Sequence, residues 1–482
     1  MGLLGILAGL GFLIWLSYRG WSVLLLAPAA ALVAAGAAGE PLLAHWTETF
    51  MGGAAKFLAQ FFPLFLLGAL FGKLMDDSGS VETIARFMTE TLGTARAILA
   101  VALAGAIVTY GGVSLFVAFF VLVPMAQSLF KAADIPHRLV PAAIALGTMT
   151  FTMSALPGTP ALQNAIPMPF FGTTPFAAPG LGIVAAAIML GFGLWWLNRA
   201  EAAARRAGEG YGKHEPLDVG AQEQTARERA AIASEFDPAE ITHGRHAAGA
   251  PSVLVAFVPL IVVILVNLAM SLFVLPRLDT SYLAEARWGA TSLAAVGGVW
   301  AVVVALFAAI LTLIALNYQR LPSLRESMDA GVNASVLPAI SVASLVGFGA
   351  VIAALPAFTL VRDWVLSIGG GPLVSLAVAT NILAALTGSA SCGLTIALDA
   401  LGETYLRLAS DHGIDPALLH RVAVMSAGTL DSLPHNGAVV TLLAVCGVTH
   451  SDSYKDIFVV AIVGALLALA AVIVLGSIFG SF

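Results

Sequence analysis

The sequence predicts an all-α polytopic membrane protein made of two inverted-topology repeats, each with a re-entrant hairpin and a broken helix. Three observations predict it. Of 482 residues, 59% are hydrophobic and 10% charged, whereas soluble domains carry about 25% charged residues. Apolar runs follow one another along the chain, and about 20 apolar residues suffice for a helix to cross a bilayer. Two pairs of helix-breaking stretches interrupt these runs. Gly111-Gly112-Val113-Ser114 precedes Ser154-Ala155-Leu156-Pro157-Gly158-Thr159-Pro160, and Thr387-Gly388-Ser389-Ala390-Ser391-Cys392-Gly393 precedes Asp431-Ser432-Leu433-Pro434-His435-Asn436-Gly437. Ser114 lies 43 residues before Pro157, and Ser391 lies 43 before Pro434. Interrupted apolar segments at matching places in two halves point to the binding site of a secondary transporter.

The first repeat is expected over 1–198. Its first span, roughly 2–18, is apolar without a positive n-region, so it reads as a spanning helix and not a cleaved signal. Arg19 after it favours an outside N-terminus. A second span covers 22–38. Residues 40–54, with His45, Trp46, Glu48 and Gly52-Gly53, read as an interfacial loop. The third span, 55–75, ends at Asp76-Asp77-Ser78-Gly79. Residues 80–96 are amphipathic and suit a helix on the membrane surface. The stretch 97–130, cut at Gly111-Gly112, reads as a re-entrant hairpin. A broken helix follows over 139–168 and a span over 180–197, ending at the aromatic pair Trp195-Trp196.

Residues 199–250 hold seven Lys or Arg and nine Asp or Glu. They read as a cytoplasmic polar linker with too little apolar surface for a core. The second repeat, 251–482, has the same order: spans at 252–275, 291–316 and 333–361, a hairpin at 372–401, a broken helix at 418–449 and a last span at 456–480. Five crossings in each half invert one half relative to the other. Of the 22 Lys and Arg, 16 fall at inside and 6 at outside positions, which agrees with the positive-inside rule.

Pro removes a backbone donor, and Asn and Gly favour non-helical backbone. Within a membrane such breaks are tolerated where they are buried in protein or line a cavity. Half-helix N-termini present N–H groups with partial positive charge. No Arg or Lys falls at the breaks; the nearest, Arg138 and Arg421, stand upstream near helix starts. The pattern therefore suits a small carboxylate held by amides and hydroxyls. Candidate contacts are Gly112, Ser114, Ser154, Gly158, Thr159, Ser389, Ser391, Ser432, His435, Asn436 and Gly437. Each hydroxyl has a competing structural role in satisfying backbone or in helix packing. Asp431 is the first candidate for proton coupling, with His435 as relay and Asp399 as rival. Asp431 and His435 would face each other if the turn stayed helical.

Other classes are disfavoured. Cys392 and Cys446 read as small buried thiols. The chain has no His-Glu-x-x-His metal motif and no Gly-x-Ser-x-Gly elbow, so no cofactor, metal or catalysis is expected. The net charge is −6, and no basic run interleaved with aromatics suggests nucleic acid. A passive channel would need no bistable element.

The run Gly428-Thr429-Leu430-Asp431-Ser432-Leu433-Pro434-His435-Asn436-Gly437-Ala438-Val439-Val440-Thr441-Leu442-Leu443 resembles the second-half signature of the gluconate permease (GntP-type) family of the ion transporter superfamily. Length and layout fit over essentially the whole chain. The resemblance implies an elevator-type transporter, a homodimer in the cytoplasmic membrane, and proton-coupled uptake of small hydroxy-carboxylates such as gluconate or 3-hydroxybutyrate. The first break lacks the histidine of the gluconate carriers' pattern, which points to the smaller hydroxy-acid branch. Na⁺-coupled carboxylate symport is the alternative, with carbonyls and hydroxyls at the breaks as ligands.

Overall fold

The computed structural model describes residues 2–212 and 246–482 apart from Tyr18, Gly20 and Ala248, and these residues contain helices and no strand. Of the linker expected over 199–250, residues 213–245 lie outside the described residues. Among the described residues, seven helices are long and apolar enough to cross a membrane, or eight if a bent pair counts as one span.

In chain order, α1 is Gly2–Ser17 and α2 is Val23–Ala38. The helix α3 runs Leu42–Asp77 without interruption, so 40–54 is not the expected interfacial loop. Its Gly53 does not turn the chain. A Cβ there would come within 2.7 Å of Ala350 Cβ, so the glycine permits a close helix crossing. Then come α4 (Ser80–Leu92) and α5 (Ala97–Tyr110). Gly93, at φ 64°, makes the 98° bend between the two. The helix α6 (Leu115–Ala132) packs back on α5 after the turn 111–114.

The first broken helix breaks twice. It comprises α7 (Val140–Thr148) and the single turn α8 (Phe151–Ser154), followed by the short helices α9 (Leu162–Ala165) and α10 (Pro167–Phe171). The helix α11 runs Pro179–Arg206, past the expected end at 197. It is extended by the Glu201–Arg205 pair and by Arg205 Nη2 donating to Ala133 O.

In the second half, α12 is Val253–Arg277 and α13 is Leu293–Asn317. The helix α14, Leu324–Ala354, starts earlier than the expected 333 because Ser323 caps it, accepting from Glu326 N. It ends before Pro356, and α15 (Phe358–Leu366) follows. The hairpin comprises α16 (Gly371–Thr387) and α17 (Ala390–Asp411). The second broken helix comprises α18 (Pro416–Ala427) and α19 (Gly437–Cys446). The final helix α20, His450–Phe479, starts at a capping box formed by Thr449 and Asp452.

The helices pack as two groups. One is centred on α3 against α14, with α1, α2, α12 and α13 around them. The other gathers α5, α6, α7 and α11 with α16 to α20. The hairpin arm α17 joins the groups by packing on α14, where a Cβ on Gly349 would meet Ile396 at 3.0 Å.

Candidate functional site

Each hairpin tip is docked on the break of its own half. At the first tip Gly112 has φ 100°, and a Cβ there would sit 2.9 Å from Pro160 Cγ. Tyr110, just before the tip, donates its hydroxyl to Pro157 O at 2.7 Å. At the second tip Gly388 has φ 65°, with His435 Cδ2 3.2 Å from where its Cβ would be. His435 Nε2 lies 3.0 Å from Ala385 O, and Asn436 Nδ2 donates to Gly388 O at 2.7 Å. Asn436 also caps α19, its Oδ1 accepting from Ala438 N and Val439 N.

The two broken helices meet where Gly428 approaches Ser154, since a Cβ on Gly428 would be 3.2 Å from Ser154 Cβ. Arg421, expected to stand upstream of the breaks near a helix start, also belongs to this junction. It is fully buried. Its Nη1 donates to Ser154 O at 3.2 Å, and Nε and Nη2 donate to Ala177 O at 3.2 and 2.6 Å. Its neighbour His420 bonds Thr173 Oγ1 at 2.6 Å and Asn164 Oδ1 at 3.1 Å. Asn164 Nδ2 donates to Thr159 O and Pro175 O, and Asn267 Nδ2 donates to Gly158 O at 3.0 Å. Second-half side chains therefore hold the backbone of the first break. One signal was available in the sequence: the ionisable pair His420-Arg421 lies inside an apolar run, where such residues are functional by default.

A cavity of about 200 Å³ opens beside the first tip. Gly112 and Ser114 from the tip, Pro160 and Gln163 from the first break, and Ser391 from α17 form one side. Phe65 of α3 and Ala334, Ser335 and Pro338 of α14 form the other. Among the described residues, no acidic or basic side chain lines it. Ser391 is 4% exposed, and neither its hydroxyl nor that of Ser114 has a hydrogen-bond partner among the described residues. Ser114 stands at the N-cap position of α6 without accepting from that helix's first turn. The α6 N-terminus thus directs its partial positive charge towards an anion at Ser114.

The model of the GntP family permeases matches residues 1–170. The uncharacterized transporter YxjC of Bacillus subtilis strain 168 is 41% identical over 488 residues, covering all of both chains. This chain is a GntP family permease. It is a secondary transporter of organic anions in the inner membrane. Its architecture is similar to that of the YdaH transporter of Alcanivorax borkumensis, at TM-score 0.52 and 14% identity, covering 91% of this chain and 88% of that one. It is likewise similar to MtrF of Neisseria gonorrhoeae, at TM-score 0.52 and 14% identity, over 91% and 85%. These likenesses concern the fold.

The permease brings together some candidate residues and separates others. Gly112, Ser114 and Ser391 reach the cavity. The first-break candidates Ser154, Gly158 and Thr159 do not line it. Ser154 Oγ donates to Thr150 O, and Thr159 Oγ1 accepts from Ala161 N. Gly158, at φ 79°, leaves no room for a side chain beneath the Phe176 ring. In the second half, Ser389 Oγ accepts from Cys392 N. Ser432 Oγ donates to Asp431 Oδ1 at 3.3 Å, and Tyr454 donates to Ser432 O. Gly437 opens α19. Asp431 is half-buried in the break, whereas Asp399 is exposed on α17, within electrostatic reach of Lys56.

Proposed function

We propose that this permease is a proton-coupled symporter importing a small hydroxy-carboxylate of the 3-hydroxybutyrate or gluconate kind. The observation that carries the substrate class is the cavity: it has no charged side chain, yet it joins a helix N-terminus to two uncommitted hydroxyls, Ser114 and Ser391. Such a site favours a lone carboxylate over a cation. Asp431 and His435 are the proposed proton carriers, with His435 bridging the second break to the hairpin tip at Ala385 O.

Protons are favoured over Na⁺ by the state of the backbone carbonyls. Pro157, Gly158 and Thr159 in the first break accept from Tyr110, Asn267 and Asn164. In the second half Gly388 accepts from Asn436, and Ser432 from Tyr454. Nitrogen or hydroxyl donors thus stand where a Na⁺ bound by these oxygens would need space.

The reading extends to inverted repeats and elevator motion. Pro63 of α3 and Pro338 of α14 are 275 residues apart, and the tip glycines Gly112 and Gly388 are 276 apart. The helices α3 and α14 cross antiparallel, with Gly53 on Ala350 and Gly331 on Leu70. The α3–α14 group would be the scaffold and the hairpin group the moving body; a homodimer follows from the family resemblance alone. The test is uptake of labelled 3-hydroxybutyrate and gluconate into proteoliposomes under an imposed proton gradient, a Na⁺ gradient, or neither. Accumulation under the proton gradient alone, lost in Asp431→Asn or His435→Gln, is expected. Na⁺-driven accumulation would overturn the coupling, and no accumulation of either acid would overturn the substrate class.

A further inference from the structure

The hairpin side of the cavity offers donors to a carboxylate. The opposite wall carries a different chemistry. Pro338 lies inside α14, and both Pro338 and Ala334 line the cavity. A proline has no N–H and its ring pushes against the carbonyl four residues back. The Ala334 carbonyl therefore loses its helical partner at the wall of the cavity. Beside it, Ser335 turns its hydroxyl proton away, donating to Val332 O at 2.7 Å, so its oxygen is left as an acceptor. A carboxylate cannot satisfy an acceptor; a hydroxyl can.

We infer that the Pro338 break in α14 makes Ala334 O the acceptor that reads the substrate's hydroxyl group. The inference rests on the carboxylate reading of the cavity. The carboxylate end is held at Ser114, Ser391 and the α6 N-terminus, and the hydroxyl end at α14. The permease would then select hydroxy acids over their deoxy analogues through backbone geometry and not through a polar side chain. Pro63 holds the equivalent place in α3, but neither it nor Ala59, whose carbonyl it frees, lines the cavity. Pro63 is therefore the internal control.

The test measures ligand-induced thermal stabilisation of the full-length protein in nanodiscs, titrating 3-hydroxybutyrate against butyrate and gluconate against hexanoate. In the wild type the hydroxylated member should bind at least several-fold tighter. Pro338→Ala restores an N–H at 338 and occupies Ala334 O. It should weaken the hydroxylated ligand about 3- to 10-fold, the equivalent of one net hydrogen bond, while the deoxy ligand binds as before. Pro338→Gly restores the same N–H and is the second variant should Pro338→Ala fold poorly. Pro63→Ala should leave the ratio unchanged. An unchanged ratio in folded Pro338→Ala and Pro338→Gly, or an equal loss for both members of a pair, would overturn the inference. If no carboxylate stabilises the wild type, the carboxylate reading itself falls, and this inference with it.

Discussion

At the scale of single residues, Arg421 decides how the two broken helices meet. A buried guanidinium is costly unless every donor finds an acceptor. Here carbonyls supplied by the other half of the chain accept from it. Arg421→Met would leave Ser154 O and Ala177 O without these donors, at about 1–3 kcal/mol for each unsatisfied group. A thermal melt should show a clear loss of stability. Arg421→Lys should lose less, because an ammonium reaches one carbonyl but lacks the planar fork. Equal melting of both variants and the wild type would contradict this role. The residue was visible in the sequence, but its partners were not, since Ser154 and Ala177 lie more than 240 residues away. The hydroxyls divided for the same reason. Ser389 and Asn436 cap helices, and Ser114 and Ser391 do not; no local pattern separates the two behaviours.

At the scale of elements, glycine carried opposite meanings. Gly112 is held at positive φ against Pro160, so Gly112→Ala strains the tip by about 1–2 kcal/mol and displaces it from the break. Uptake should fall at least tenfold with expression near that of the wild type. Gly52 lies within α3 with nothing within 4 Å of its missing Cβ. Gly52→Ala should be neutral or stabilise by up to about 1 kcal/mol in a melt. The sequence marks both as glycines, and only the tertiary partner tells a turn from a helix interior. That is why residues 40–54 look like a loop in the sequence and form a helix in the fold. The interruption at Met149-Thr150 contains neither Gly nor Pro and was not legible. There Thr148, Thr150 and Thr152 return their hydroxyls to Ile144, Leu146 and Gly147 carbonyls, competing with the helix ladder.

At the scale of the molecule, composition alone made the helical membrane class plain, because so few charges leave no other solvent for the chain. The packing of the two helix groups was not legible, since it depends on contacts between halves. The described flanks of the linker are pinned to different groups. On one side Arg138 makes a fork with Glu209, at 2.8 and 3.1 Å, and bonds Asp456 at 2.8 Å. On the other, Ala247 N donates to Asp77 O, and the Asp77 carboxylate accepts from Ser327 and pairs with Lys73 at 2.9 Å. Hydrogen bonding from Arg138 holds the Glu209 carboxyl below its ordinary range. A depressed acid stabilises above its unfolded pKa and loses that contribution as pH falls through the folded value. Hydrogen-exchange protection of the 207–212 segment, taken relative to the unstructured rate at each pH, should therefore hold at neutral pH and fall only below the ordinary carboxylate range. Glu209→Gln should lower it at neutral pH, and no change in that variant would contradict the clasp.

The central claim is that a small carboxylate binds in the cavity between the first hairpin tip and α14. The most direct measurement is thiol protection at Ser114→Cys, with Cys392 and Cys446 replaced by Ala. The account predicts that a small thiol reagent modifies the thiol introduced at position 114 and that 3-hydroxybutyrate or gluconate slows the modification in a saturable way. Modification at the same rate with and without either acid, in a variant that still takes that acid up, would contradict it.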